Sequence, residues 1–84
     1  MDILEFEINR IVSEWNPIGV DENIAPSEYV GYVSQIKECL DDRQALMRCM
    51  IKMLDGMNLS PDLNNGLHMD ALHEVCFKLQ ALKQ

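Results

Sequence analysis

The chain is expected to be all-α: a compact four-helix bundle with an extended connection between helices 1 and 2. Two observations lead there. Apolar residues recur at steps of three and four in four separate segments, and no segment sustains the strict alternation of a half-buried strand. Short links between most of the segments favour neighbours packed side by side, the arrangement of a simple bundle. Eighty-four residues with a hydrophobic fraction of 48% suffice for one core, so residues 1–84 are read as a single helical domain.

The first helix is predicted over about residues 2–15. Leu4, Ile8, Ile11 and Trp15 fall on one face, with Val12 beside them. Asp2, Glu5 and Glu7 sit in the first turns, where carboxylates complement the positive end of the helix dipole. Asn16-Pro17 ends the helix, since proline lacks the N–H and biases the residue before it away from helical dihedrals. Gly19 then permits a turn. Within the connection, residues 16–26, Ile18, Val20 and Ile24 are expected to pack down on the bundle.

Ala25-Pro26-Ser27-Glu28 opens the second helix, with a proline and a carboxylate both suited to a first turn. Tyr29, Val33, Ile36 and Leu40 form its buried stripe, and Gly31, Ser34, Gln35 and Glu38 fall opposite. Asp41-Asp42 supplies an N-cap for the third helix, over about residues 42–57. Its face carries Leu46, Met50, Met53, Leu54 and Met57, widened by Met47 and Ile51. Methionines at this spacing are read as adaptable core filling. Gly56 suits the helix end. Residues 58–66 read as a loop, with Ser60-Pro61-Asp62 able to start a short helical turn. The last helix, over about residues 67–82, has a stripe of His68, Leu72, Val75, Leu79 and Leu82, with Ala71 and Cys76 on its flanks.

Charge is divided unevenly. Residues 1–42 hold ten acids against Arg10 and Lys37, whereas residues 43–84 hold four acids against five bases, within an overall charge of −7. Such a field attracts basic partners and repels phosphate backbones. Arg43, Arg48 and Lys52 along helix three are the one basic cluster, too small for a nucleic-acid footprint and read as a solvated face.

No residue pattern carries chemistry of its own. Cys39, Cys49 and Cys76 are odd in number and lack C-x-x-C spacing, so three reduced thiols in a cytoplasmic protein are expected. His68 and His73 lie five apart on different helix faces, His68 towards the core and His73 towards solvent. Cys76 with His73 has no third residue to orient it. The adjacent acids Asp21-Glu22 and Asp41-Asp42 lack the alternation of a calcium loop, and no glycine-rich phosphate cradle is present. The chain is accordingly read as a non-enzyme with no cofactor and no metal site. The acid-studded N-terminus does not resemble a signal peptide, and no stretch reaches the ~20 apolar residues of a membrane span.

Two aromatics interrupt the amphipathic pattern. Phe6 lies opposite the Leu4–Ile8–Ile11–Trp15 face, beside Asp2, Asn9 and Ser13, and Phe77 lies opposite the Leu72–Val75–Leu79 face. Each is expected to pack beneath a loop. The alternative is an exposed aromatic anchor ringed by carboxylates, as in a protein interface.

Trp15-Asn16-Pro17-Ile18-Gly19-Val20, followed by Pro26-Ser27-Glu28-Tyr29 and Tyr32, resembles small all-α bacterial proteins that join a Trp-Asn/Asp-Pro-Ile-Gly-Val turn to a Pro-x-Glu-Tyr helix start. Some of these are similar to immunity proteins of contact-dependent growth-inhibition and other polymorphic toxin systems. The resemblance spans about residues 10–33, implies a helical fold and brings no catalytic residues. With the acidic field, it leads to an expected immunity protein that binds a cognate, basic nuclease toxin. The residues expected to meet the toxin are Phe6, Glu14, Asp21, Glu22, Glu28, Glu38, Asp41 and Asp42. The alternative is a small acidic adaptor or a homodimeric structural bundle.

Overall fold

The computed structural model describes residues 2–57 and 66–83, apart from the side chains of residues 66–68. The chain folds as an all-α bundle. Helix α1 (Ile3–Trp15) leads through the connection to α2 (Ala25–Tyr29), a 3₁₀ turn (Val30–Tyr32) and α3 (Val33–Glu38). Then come α4 (Arg43–Gly56) and α5 (Gly66–Ala81). No strand occurs among the described residues. The expected loop and helical turn within residues 58–65, and the side chain of His68, lie outside what is described.

The α1 start is more completely capped than its acids alone imply. The Glu5 N–H donates to Asp2 Oδ1 at 2.7 Å, and the Asp2 N–H donates back to Glu5 Oε1 at 3.3 Å, forming a capping box. At the other end Asn16 adopts the left-handed conformation (φ 49°, ψ 60°) and its N–H closes on the Val12 carbonyl at 2.8 Å.

The predicted second helix is split. Tyr29, Val30, Tyr32 and Val33 all keep right-handed helical dihedrals, but the middle tightens into 3₁₀ geometry. Glycine flanked by β-branched and aromatic residues is a run of weak helix formers, so the α-helical hydrogen bonds give way there first. Asp42 is the N-cap of α4, its Oδ1 accepting from the Gln44 and Ala45 N–H groups at 2.9 and 3.3 Å.

Helix α1 packs against α2, α3 and α5, and α4 packs against α3 and α5. The core between them holds Ile8, Ile11, Val12, Ala25, Tyr29, Val33, Ile36, Leu40, Leu46, Met50, Met53, Leu54, Leu72, Val75, Cys76 and Leu79. Each large apolar side chain there contributes about 1.5–3 kcal/mol by leaving water. The second-helix stripe is fully buried as predicted, and methionines 50 and 53 are core residues. Leu4, Trp15, Met47, Ile51, Met57 and Leu82 border the core, half-buried.

Two expectations of burial fail, and one of exposure. Within the connection only Val20 packs on the core, while Ile18 and Ile24 are exposed. Hydrogen bonds rather than apolar contacts hold this turn, so its isoleucines need not point inward. Phe6 and Phe77 are 61% and 67% exposed. No loop covers Phe77 among the described residues, and the connection passes beside Phe6 without closing over it. Arg43 also departs from a solvated face. Its Nε donates to Gln80 Oε1 at 2.6 Å, and Gln80 Nε2 donates to the Leu40 carbonyl at 3.1 Å, tying α5 to the α3–α4 link.

Candidate functional site

The connection is fastened to α1 by a polar cluster built on Asn16 and Tyr29. The Tyr29 ring is fully buried, and its hydroxyl donates to Asn16 Oδ1 at 2.8 Å while accepting from the Ile18 N–H at 3.0 Å. Asn16 Oδ1 also accepts from the Val20 N–H at 3.2 Å, and Asn16 Nδ2 donates to the Val20 carbonyl at 2.6 Å. Gly19 takes φ +79°, which only a residue without Cβ adopts freely. This is the physical content of the Trp-Asn-Pro-Ile-Gly-Val and Pro-x-Glu-Tyr segments: one buried phenol plugs one turn. Burial raises the Tyr29 phenol above its ordinary pKa, since the charged form would be desolvated.

A second anchor lies farther back along α1. Asn9 Nδ2 donates to the Pro26 carbonyl at 3.0 Å. Between the two anchors, α1 and the connection enclose a groove of about 530 Å³, walled by Phe6, Asn9, Arg10, Ser13, Glu14, Asn16, Glu22 and Pro26. Its volume falls in the range of ligand sites. Phe6, Asn9 and Ser13 reach it because steps of three and four place them on one side of α1.

Two side-chain atoms behind the wall of this groove are buried without a hydrogen-bond partner among the described residues. Pro26 O can only accept, so it fixes the Asn9 amide with Nδ2 towards the connection. That leaves Asn9 Oδ1, an acceptor, buried without a donor. Ser13 Oγ is likewise buried without a partner. Glu22 has no hydrogen bond or ion pair among the described residues. Arg10, the one cation among the described residues that wall the groove, is already held by Glu7 at 2.7 Å and Glu14 at 3.1 Å, and these two carboxylates raise its pKa further.

The other expected partner-facing acids are dispersed. Phe6, Glu14 and Glu22 share the groove. Asp21 accepts from the Asn23 N–H at 2.8 Å, closing the turn before α2, and Glu28 is exposed on α2. Glu38 and Asp41 line a separate depression with Glu5, Ser34, Lys37 and Lys83, where Lys83 Nζ lies 2.9 Å from Asp41. Asp42 is occupied as the α4 cap. Lys37 binds Asp2 at 2.6 Å, lowering the Asp2 pKa below the usual carboxylate value and raising its own.

No group of three or more His, Cys, Asp and Glu among the described residues is placed to hold a metal ion. Cys39, Cys49 and Cys76 are free thiols. Burial pushes Cys49 and Cys76 up to about 11, away from the thiolate a nucleophile needs. His73 is exposed while Cys76 is buried, so the pair does not form a dyad. No described helix is long and apolar enough to cross a membrane.

Comparison with family models, with curated proteins and with solved structures returns no match. The site must therefore be read from its own geometry. Sequence reasoning singled out Phe6, Glu14 and Glu22 but missed Asn9, Ser13 and Pro26 as walls. The signal was there in part: Phe6, Asn9 and Ser13 share the polar side of α1. Their partner across the groove depends on a hydrogen bond spanning seventeen residues.

Proposed function

We propose that this chain is an immunity-type inhibitor, which neutralises a basic protein partner by presenting an acidic helical face and an aromatic anchor. The observation that carries the reading is the groove, where exposed Phe6 stands beside Glu14 and an uncompensated Glu22. Glu28 and Glu38 are two further exposed acids without a hydrogen bond or ion pair among the described residues. Aromatic residues at the centre of an interface supply much of its affinity, and surrounding acids steer a basic partner to it. A nuclease toxin fits because its active site must be cationic to hold phosphate, and the resemblance of residues 10–33 to small immunity-like bacterial proteins points the same way.

Inhibition needs no reaction on this side of the interface. The acidic face either occupies the partner's phosphate site or covers the surface next to it, and capture is fast at low ionic strength because the fields are complementary. The test is to co-express the chain with the product of the adjacent upstream gene. Co-elution in gel filtration and survival of cells making that product are expected. Absence of both overturns the reading and favours a small acidic adaptor.

A further inference from the structure

Two of the three thiols meet where α3 gives way to α4. We propose that Cys39 and Cys49 form a redox site, closed into an intrachain disulfide by exchange with a small-molecule disulfide of the glutathione class and reopened by the corresponding thiol. The inference is independent of the inhibitor reading above.

The backbone fixes the placement. Helix α3 packs on α4. Cys39 is the C-cap of α3: its N–H donates to the Ile36 and Lys37 carbonyls, and its own carbonyl accepts from the Asp42 N–H at 3.3 Å. The end of α3 is thereby held beside the start of α4, where Asp42 is the N-cap. Cys49 lies on the second turn of α4 and, like Cys39, borders the core half-buried. The Cys39 and Cys49 thiols meet in a side-chain hydrogen bond.

The third thiol is set apart. Met47 and Cys49 stand about 200° apart around α4. Cys76 is on the Met47 side, fully buried, with its Sγ donating to Met47 Sδ at 3.4 Å. It acts on Cys49 only through space. Mutual contact and access to solvent therefore single out Cys39 and Cys49. An odd count without C-x-x-C spacing conceals this pair, because only the turn between α3 and α4 brings it together.

The exchange balances in atoms and electrons. Cys39 Sγ, as the thiolate, attacks one sulfur of the small disulfide, and one thiolate leaves with the electron pair of the sulfur–sulfur bond. Cys49 Sγ then attacks the Cys39 sulfur of the mixed disulfide and displaces the second thiolate. The two protein thiols give up two electrons and two protons, and the reagent becomes two thiols. Burial, and then the neighbouring Cys39, push the Cys49 thiol up to about 11, so it is a poor first attacker. As the second attacker it reacts within its own molecule, where contact takes the place of concentration. The product joins residues ten positions apart, which restricts the unfolded chain and clamps α3 to α4.

The experiment equilibrates the reduced chain with oxidised and reduced glutathione at mildly alkaline pH, then unfolds and alkylates it for mass spectrometry. Trypsin cuts after Lys37, Arg43, Arg48 and Lys52, which leaves Cys39 and Cys49 on separate peptides. The expected result is loss of two thiols, alkylation at Cys76 alone, and peptide 38–43 linked to peptide 49–52. Excess reduced glutathione should reverse the link. The closed form should melt several degrees above the reduced form. Cys39→Ser and Cys49→Ser should each form no intrachain link and show no such difference between the two conditions. A link through Cys76, glutathione adducts on both cysteines without a link, disulfide-joined dimers, or an oxidised form that melts no higher than the reduced one would each overturn the proposal.

Discussion

At the end of α1, Asn16 and Tyr29 pair with each other and with the connection: the Tyr29 hydroxyl gives one hydrogen bond and takes one, and the Asn16 amide meets both main-chain groups of Val20. One to two turns earlier on the same helix, Asn9 and Ser13 face the same connection and leave Oδ1 and Oγ unmatched. Each cluster has an asparagine on or at the end of α1, and both face the same connection. What separates them is the direction of the connection, which enters the first cluster with free N–H groups and passes the second with only a proline carbonyl. A closed cluster of this kind holds a fold together. An unmatched one costs the fold free energy, and here it lies beside a groove of about 530 Å³ and an exposed aromatic.

The comparison breaks most visibly at Asn16. Asn16→Ala removes every side-chain bond to Val20, takes away the acceptor of the Tyr29 hydroxyl and places alanine in a left-handed conformation. Together these should cost about 2–4 kcal/mol in denaturant unfolding. Asn16→Gly sharpens the result, because glycine accepts φ 49° and leaves only the hydrogen-bond share of the loss. A destabilisation below about 1 kcal/mol for Asn16→Ala would show that the turn is not held as described.

Tyr29→Phe tests the same cluster more gently. It keeps the buried ring and removes the hydroxyl, leaving the Ile18 N–H without its acceptor, and should cost about 1–3 kcal/mol. Equal stability of variant and parent would mean that water replaces the phenol at no loss.

Legibility in the sequence follows the same division between local and non-local causes. Periodicity alone placed Tyr29, Val33, Ile36 and Leu40 on one buried stripe and Leu46, Met50 and Met53 on another, because helical spacing and burial share a period. Pro17 and Gly19 marked the turn by their own backbone restrictions. Asn16 is left-handed as well as Gly19, however, and its role depends on Tyr29, thirteen positions away. Ile18 and Ile24 misled because an apolar residue in a loop signals burial only when apolar contacts hold the loop. The groove was half legible: Phe6, Glu14 and Glu22 are conspicuous by type, but Asn9 and Ser13 acquire meaning only once Pro26 is known to lie above them.

Alkaline pH gives a smaller effect with a defined sign. Burial raises the Tyr29 phenol above 10.0, so below that pH both folded and unfolded states keep the proton and stability is full. Above it the unfolded phenol ionises first, and stability falls as pH climbs towards the folded value. Cys49 and Cys76, pushed from 9.0 to about 11, act in the same direction but begin near 9. Denaturant midpoints measured from pH 8 to 11 should therefore decline in two stages, and Tyr29→Phe should flatten only the later one. Parallel curves for parent and variant would place the Tyr29 hydroxyl in contact with water.

The smallest effect on stability discriminates most sharply between the two clusters. Ser13→Ala removes a buried hydroxyl that has no partner and replaces serine by a better helix former. The fold should lose nothing and gain about 0.5–1 kcal/mol, a rise of roughly 2–8 °C in Tm for a domain of this size. A fold-holding hydroxyl gives the opposite sign, as Tyr29→Phe should. If Ser13→Ala is destabilising by 1 kcal/mol or more, its hydroxyl is satisfied within the folded chain and the groove is as closed as the turn beside it. If it stabilises the free protein, the hydroxyl contributes nothing to the fold that alanine does not replace, and the contrast with Tyr29 holds.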